Sequence, residues 1–244
     1  MTGGGLPSFR TAAASFFAKD LRMAGCLTHR LGITGQAPGH GANCVFFVQP
    51  SASTPVEEIA GADGGAAGNA FVDVAGQFMQ FDGSGDYYEF AAVQGSVTAN
   101  WTLEFYLKDM ASNDVGTIVC RGLGGGAGRW AVYASGSSGN LSFYIDELTG
   151  SAIINANSMV AADGNWHHFA IVKSGTSYYL FKDGVSAATA TQTGTPGSAN
   201  LNVRVGTDFN LAGSRYINGK VCRVKITQAA LWTSGFTPPG RTDG

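Results

Sequence analysis

The stretch that most constrains the fold of this chain is residues 163–184, DGNWHHFAIVKSGTSYYLFKDG. It predicts two short strands in a row, because each apolar run is short and is bounded by Gly, Asp or Ser. Trp166, His167 and His168 stand at the start of the first strand, and Asp183-Gly184 ends the second. The stretch therefore indicates a β-rich protein.

The same kind of strand recurs along the chain as an alternation of apolar and polar residues. In residues 101–108 the apolar side chains fall on every second position, which predicts one face toward the core and one toward solvent. We expect Trp101, Phe105, Phe143 and Phe169 to be largely buried. The alternation repeats in three further segments: Leu141-Phe143-Ile145, Leu201-Val203-Val205 and Cys222-Val224-Ile226.

Length and composition agree with an all-β fold of two antiparallel sheets. The 244 residues are enough to enclose a full sandwich core, and 36 Gly against 7 Pro suit many tight turns. Charged residues make up only 13% and the net charge is −2, which gives no electrostatic basis for binding nucleic acid or an anionic membrane. No apolar run is long enough to predict a transmembrane helix.

Four stretches, in order, resemble the laminin-G-like or concanavalin-A-like jelly roll. They are FDGSGDYYEF at 81–90, WTLEFYLKD at 101–109, the WHHF and LFKDG elements of residues 166–184, and INGKVCRVKI at 217–226 followed by ALWTSGFTPP. Together they cover roughly residues 70–240. The resemblance implies a two-sheet jelly-roll sandwich and leaves the function open, since this fold serves lectins, glucanases, adhesion modules and virion proteins.

The first 69 residues differ from the rest and are predicted to be an anchoring arm, with residues 70–244 forming the jelly-roll domain. The arm offers one short helix over 10–24 and one strand over 45–48, too little for a core of its own. We expect its apolar side chains to anchor on a partner, and the strand to pair with an exposed sheet edge there. The expected anchors are Phe9, Phe16, Phe17 and Leu21. A short helical turn is predicted over 228–232.

The cysteines allow two interpretations. Cys26, His29, His40 and Cys44 follow the spacing C-x2-H-x10-H-x3-C, and their side chains are zinc ligands. An ordinary Gly- and Pro-rich surface loop explains the same segment and is favoured, since the spacing matches no zinc-knuckle pattern. Two further residues, Cys120 and Cys222, lie on predicted strands, where buried reduced thiols are expected. The resemblance implies a disulfide at Cys222, but the second cysteine is missing.

Catalysis by the jelly roll is not predicted. His167 and His168 are neighbours on a strand and face opposite ways, and no nucleophile or partnering acid has a recognisable motif around them. Glycoside hydrolysis needs two carboxylates on one side of a cleft, whereas Asp146 and Glu147 are adjacent and point apart. A structural role for the histidines is the favoured hypothesis.

Binding of a sugar or of calcium is a second hypothesis, and calcium rests on the family resemblance alone. Such sites use acidic, amide and aromatic side chains on loops at the rim of the sandwich. Turn or core roles explain the same residues equally well. The candidates are Asp114, Arg129, Trp130, Asp146 and Asp208.

The resemblance favours a non-enzymatic structural protein of a tailed-bacteriophage particle, either a capsid decoration protein or a fibre component. The ending ALWTSGFTPP at 230–239 is similar to the close of such phage domains. Expected partners are the major capsid protein or a fibre or tail protein, further copies of the chain, and a host-surface glycan. The expected location is the virion surface. Two alternatives are a soluble or secreted glycan-binding lectin and a glycoside hydrolase.

Overall fold

The protein is all-β, as its alternating pattern predicts. A computed structural model describes residues 43–50, 53–57, 62–93, 99–111, 114–122, 128–135, 138–145, 152–194, 201–211 and 215–241. Every regular element in these ranges is a strand, and the strands form two antiparallel sheets. None of the described residues belongs to a helix that is long and apolar enough to cross a membrane.

The described residues form seventeen strands, numbered in chain order. They are β1 Cys44–Val48, β2 Val56–Glu57, β3 Ala62–Asp63, β4 Gly65–Ala67, β5 Phe71–Asp73, β6 Phe78–Asp82, β7 Tyr87–Val93, β8 Trp101–Lys108, β9 Gly116–Arg121, β10 Trp130–Ser135, β11 Asn140–Ile145, β12 Ile154–Ala156, β13 His167–Ser174, β14 Ser177–Lys182, β15 Val185–Thr191, β16 Leu201–Val205 and β17 Asn218–Thr227.

One sheet has ten strands and the other has seven. The ten-stranded sheet runs in the order β15-β14-β13-β8-β17-β1-β2-β3, with β6 also paired to β17 and β5 paired to β6. The seven-stranded sheet runs β12-β11-β10-β9-β16-β7-β4. Non-consecutive neighbours such as β8 and β17 mean that the sheets are assembled from distant parts of the chain, as in other two-sheet sandwiches.

The core lies between the sheets and is rich in aromatic side chains. Trp101, Phe105, Phe143 and Phe169 are at most 3% exposed, which confirms the predicted burial. Phe105 of β8 stacks on Phe169 of β13 at 5.5 Å between ring centroids, and Trp101 stacks on Trp130 of the opposite sheet at 6.4 Å. Each buried Phe side chain stabilises the fold by roughly 1.5–3 kcal/mol relative to an exposed one, so these contacts are a main source of its stability.

The sandwich begins before the predicted boundary near residue 70. Strand β1 pairs with β17 over Phe46↔Ile226 and Val48↔Val224, and both β1 side chains are fully buried. β17 is ten residues long. β6 pairs with its first four residues, and β1 pairs with its last four. The predicted strand at 45–48 therefore pairs within this chain and not with a partner. The compact unit that contains the sandwich begins at Pro38 and not near residue 70.

A β-bulge in β17 changes the predicted alternation of Cys222, Val224 and Ile226. Cys222 pairs with Tyr106 and Lys225 pairs with Glu104, so β17 has two residues between these pairs where β8 has one. Such an extra residue moves the side chains after it to the other face. Val224 and Ile226 accordingly belong to the main core cluster, whereas Cys222 does not.

The outer face of β8 is covered, although its polar residues predict exposure to solvent. Thr102, Glu104 and Tyr106 are 0, 1 and 8% exposed. The cover is the last described part of the chain, residues 228–241, which we call the C-terminal strap. Alternation within a strand reports only which residues share a face, and the strap makes both faces of β8 buried.

Hydrogen bonds to two β8 side chains hold the strap in place. The Thr102 hydroxyl donates to the carbonyl of Ala229 at 2.8 Å and accepts the amide of Leu231 at 3.0 Å. The Tyr106 hydroxyl donates to the carbonyl of Pro239. Backbone groups of the strap are thus paired with side chains of the sheet.

The strap is an extended segment, so the helical turn predicted over 228–232 is wrong. Its backbone groups bond to β8, which removes the need for bonds within a helix. Two strap rings, Trp232 and Phe236, stack at 3.9 Å between centroids. They pack on a small apolar cluster of the sheet formed by Ala170, Val172 and Phe181.

The turn between β14 and β15 contacts part of the strap. Asp183 and Gly184 both have positive φ, 51° and 77°, as a two-residue hairpin turn of this kind requires. The carbonyl of Gly184 accepts the Phe236 amide at 3.0 Å. A Cβ on Gly184 would lie 1.9 Å from the Phe236 carbonyl oxygen, so only glycine lets the strap approach here.

Replacing Gly184 by alanine is therefore expected to destabilise the protein by about 3 kcal/mol, of which roughly 1–2 kcal/mol is backbone strain at positive φ and the rest is displacement of the strap. Gly164→Ala is the matched control, because Gly164 has φ 79° and nothing within 4 Å of its added Cβ. Urea unfolding of both variants measures the difference. Equal losses would show that the strap does not depend on this contact.

Candidate functional site

The two histidines of residues 163–184 contact different parts of the fold. His167 lies between two carboxylates, with Nδ1 2.6 Å from Asp183 and Nε2 3.0 Å from Asp163. The hydrogen bond from His167 holds the pKa of Asp163 well below its usual value. Asp183 also accepts the amide of His168 at 2.9 Å. His167 thus joins the start of β13 to the turn after β14, and both of its ring nitrogens are used.

His168 is buried beneath the strap. It is 1% exposed, and its Nε2 lies 3.1 Å from Glu104. Lys225 Nζ lies 3.5 Å from the other oxygen of the same carboxylate. Burial alone would raise the pKa of Glu104, but the hydrogen bond from His168 and the nearby positive charges outweigh it and hold that pKa below its usual value. The contacts support the structural interpretation of both histidines.

The candidates proposed for sugar or calcium binding separate into four groups. Trp130 is a core residue, 2% exposed and stacked on Trp101. Asp114 is a turn residue whose carboxylate accepts the amide of Ala111 at 3.1 Å. Asp146 lies outside the described residues, as does Glu147. Arg129 and Asp208 remain.

Arg129 and Asp208 meet around Phe209. The Arg129 guanidinium carbon lies 4.4 Å from the centroid of the Phe209 ring, a distance at which a cation is attracted to the ring face. Asp208 precedes that ring in sequence and is 3% exposed. Arg215 Nε lies 3.5 Å from its carboxylate. Residues from two loops, β9–β10 and β16–β17, thus meet next to the seven-stranded sheet.

Two tyrosines of neighbouring strands extend this cluster over the outer face of the same sheet. Tyr133 of β10 and Tyr144 of β11 are partly exposed, and their rings meet edge to face at 5.5 Å. Tyr144 also meets Phe209 at 6.4 Å, and Arg215 lies 5.9 Å from the Tyr133 ring. The strand register explains the grouping, because Tyr133 pairs with Ser142 and Tyr144 with Ala131, so both rings stand on the side opposite the core.

We call this cluster the tyrosine–arginine face. Its members share the outer side of β10 and β11 and the adjoining loop ends, and they are Arg129, Tyr133, Tyr144, Asp208, Phe209 and Arg215. The face presents aromatic rings for stacking and guanidinium groups for hydrogen bonding. Both are features of sites that bind small polar ligands on a protein surface.

The titratable groups around the face are not prepared for nucleophilic chemistry. Burial raises the pKa of Tyr144, and Arg215 acts in the opposite direction. Burial also raises the pKa of the Cys120 thiol to about 12, so this cysteine stays protonated near neutral pH. Next to the face, Glu89 is bound by Arg204 at 2.6 Å and by Asn202 at 2.7 Å.

Sequence reasoning named Arg129 and Asp208 as candidates and did not name the two tyrosines or Arg215. The signal for Tyr144 was the alternation of β11, since Leu141-Phe143-Ile145 were assigned to the core and Tyr144 falls between them. No sequence signal pointed to Arg215, because its place beside Asp208 depends on how the loop between β16 and β17 folds.

The cysteines in the described residues are free and buried, as expected for Cys120 and Cys222. Cys44 begins β1, and its thiol donates to the carbonyl of Phe46 at 3.4 Å. The other proposed zinc ligands, Cys26, His29 and His40, lie outside the described residues, so the zinc hypothesis stays a prediction. Within the described ranges, no three potential ligand side chains form a metal-binding group.

The two antiparallel sheets define a lectin-like jelly-roll sandwich. The family model of the concanavalin A-like lectin/glucanases superfamily matches residues 82–234, more than half of the chain. The protein belongs to this superfamily. Among curated proteins, no sequence matches it.

Solved structures with the same fold include receptor-binding domains of neurotoxins. The receptor-binding domain of botulinum neurotoxin D has a TM-score of 0.60 and 12% identity, and the match covers 78% of this chain and 50% of that one. The serotype G binding domain gives 0.61 and 11%, covering 78% and 49%. The binding domain of botulinum neurotoxin DC in complex with SialylT gives 0.61 and 13%, also covering 78% and 49%.

These likenesses show the fold alone, because the identities are low. The chain spans about half the length of each of these structures.

The Glu104 cluster predicts a pH-dependent contribution to stability. Because its pKa is lower in the folded state than its usual value of 4.5, the ionised carboxylate stabilises the fold above that value, and the contribution is lost as the pH falls through the lowered pKa. Glu104→Gln should cost about 1–3 kcal/mol at pH 7, and the difference from the parent protein should shrink below pH 4.5.

Asp109→Asn is the matched control for this measurement. Asp109 pairs with Lys220 at 2.6 Å on the surface, where an ion pair contributes at most about 1 kcal/mol. Denaturant unfolding from pH 3 to 8 compares the two variants. A constant loss for Glu104→Gln over that range would contradict the assignment of an ionised, paired carboxylate.

Proposed function

We propose that the protein is a non-enzymatic virion component of a bacteriophage that displays a lectin-like sandwich, and that the tyrosine–arginine face is its glycan-binding surface. The observation that carries the glycan part is the pair of partly exposed rings, Tyr133 and Tyr144, with the arginine beside them. The two rings stand edge to face, with 77° between their planes, and the partly exposed face of either ring suits the apolar C–H face of one sugar.

Sugars need polar contacts as well as stacking, and the face has them. A pyranose presents hydroxyl groups around its edge, which bind to guanidinium donors and to hydroxyl groups. The Arg215 guanidinium lies over the Tyr133 ring, and each tyrosine carries a hydroxyl group on its ring. The face thus combines the two kinds of contact that fix a saccharide on a rigid sheet.

The proposal is for binding without hydrolysis. A glycosidase uses one carboxyl group as an acid and a second as a base or nucleophile across the bond. Around the face, Glu89 is bound by Arg204, and Asp208 is paired with Arg215. Both of these described carboxylates are thus paired with an arginine, which suits a structural role better than proton transfer.

Removing one aromatic ring tests the binding surface. Tyr133→Ala should weaken binding of a glycan identified on an array by roughly tenfold, which is about 1.4 kcal/mol, with the thermal midpoint little changed. Tyr179→Ala is the matched control, since Tyr179 is a partly exposed tyrosine on the ten-stranded sheet. Equal glycan affinity of the Tyr133→Ala and Tyr179→Ala variants would show that the binding site is not on the tyrosine–arginine face. A hydrolysis assay on the bound glycan addresses the enzyme alternative.

The virion part of the proposal rests on the sequence resemblance, above all on the ending at 230–239, and on the arm. The expected anchors Phe9, Phe16, Phe17 and Leu21 lie outside the described residues, and their role stays a prediction. The rival is a soluble or secreted lectin with the same binding face. The presence of the chain in purified particles separates the two.

Deletion variants test the arm. Removing residues 1–37 should leave the sandwich folded and abolish attachment to the particle. Removing residues 1–60 also deletes β1, with its buried Phe46 and Phe47, and should unfold the sandwich. Circular dichroism reports the fold, and quantitative mass spectrometry of purified particles reports occupancy. Unchanged occupancy for the 1–37 deletion would show that the sandwich itself makes the attachment.

A further inference from the structure

We propose that the tyrosine–arginine face selects saccharides that carry a carboxylate, and that Arg215 is the residue that binds this group. The inference rests on the proposed glycan binding and adds the chemical class of the ligand. It is argued from a contrast between two arginines on the same side of the same sheet, Arg204 and Arg215.

The Arg204 guanidinium is held by hydrogen bonds within the protein. Its Nε donates to Glu89 at 2.6 Å, and its Nη1 donates to the carbonyls of Asp208 and Phe209, both at 3.2 Å. Its side chain is 9% exposed. These bonds occupy the guanidinium on two sides, so Arg204 holds the loop at 208–209 against β16 and has a structural role.

Arg215 is held much more loosely. Its side chain is 41% exposed, and its Nε lies 3.5 Å from Asp208, well beyond the 2.7–2.9 Å of a strong charge-assisted hydrogen bond. The guanidinium carbon lies over the Tyr133 ring, 5.9 Å from its centroid, so the charge is close to the exposed aromatic rings. Arg215 thus stands where a ligand on the tyrosines would meet it.

Asp208 lies beneath Arg215 and pairs with it from below the surface. Its side chain is 4% exposed, and one of its oxygens accepts the amide of Asn210 at 3.0 Å. The buried carboxylate thus positions Arg215, whose side chain stays partly exposed next to the Tyr133 ring.

An arginine in this position favours a carboxylate over a hydroxyl. The guanidinium presents its N–H groups as a planar fork that matches both oxygens of a carboxylate, and such bidentate pairs are among the strongest polar contacts in proteins. A neutral sugar would stack on a tyrosine ring and would meet the guanidinium only through its hydroxyl groups. An acidic sugar uses both features.

Matched pairs of ligands test the inference: sialyllactose with lactose, and hexuronate oligosaccharides with their carboxyl-reduced forms. For at least one pair, the full-length protein should bind the acidic member at least about tenfold more tightly, and this ratio should fall as salt screens the charge. Arg215→Gln should bring the ratio close to one, because the acidic member should lose much more affinity than the neutral member. Arg215→Lys should retain part of the preference, because the charge stays and the fork is lost.

Lys182→Gln is the control for a general loss of positive charge, since Lys182 lies on β14 of the other sheet, and it should leave the ratio intact. Thermal midpoints of all variants confirm folding. Equal binding of both members of every pair, or an unchanged ratio in Arg215→Gln, would overturn the inference alone. Failure to bind any saccharide, acidic or neutral, would overturn the glycan-binding proposal together with it.

Discussion

The closed outer face of the ten-stranded sheet depends on one buried charge, that of Glu104. An ionised carboxylate is too costly to bury alone, and three adjacent strands solve this together: β8 supplies Glu104, β13 supplies His168 at 3.1 Å, and β17 supplies Lys225 at 3.5 Å. Once the charge is paired, the rings of Trp232 and Phe236 can lie over His168, each within 6.0 Å of its ring. The Phe236 amide of the strap then donates a hydrogen bond to the carbonyl of Gly184, which links the strap to residues 163–184.

This arrangement explains what sequence reasoning could and could not predict about the fold. Strands and core aromatic residues follow from local alternation, which is why the burial of Phe105 and Phe169 was predictable. Whether the other face meets solvent depends on a segment more than a hundred residues away, and alternation carries no information about that contact. The same limit applies to β1. β6 pairs only with the first half of β17, and local alternation does not show that β1 pairs with the second half.

The candidate site shows the same division. Arg129 and Asp208 were identifiable by residue type, and Trp130 was equally eligible until the structure placed it in the core. What separates them is the direction each side chain takes from its strand or loop, and Trp130 is the first residue of an inward-facing series in β10. Arg215 has no local pattern at all, since only the fold brings it to Asp208.

The two outer faces of the sandwich differ in what covers them. On the ten-stranded sheet, the strap covers the middle strands, and its rings fill the apolar cluster around Phe181. On the seven-stranded sheet, the described residues leave Tyr133, Tyr144 and Arg215 partly exposed. The two tyrosines lie on β10 and β11, whose six residue pairs fix the spacing of the rings. Because a preorganised surface loses little entropy when a ligand binds, the partly exposed face suits the proposed recognition better, and the covered face contributes stability.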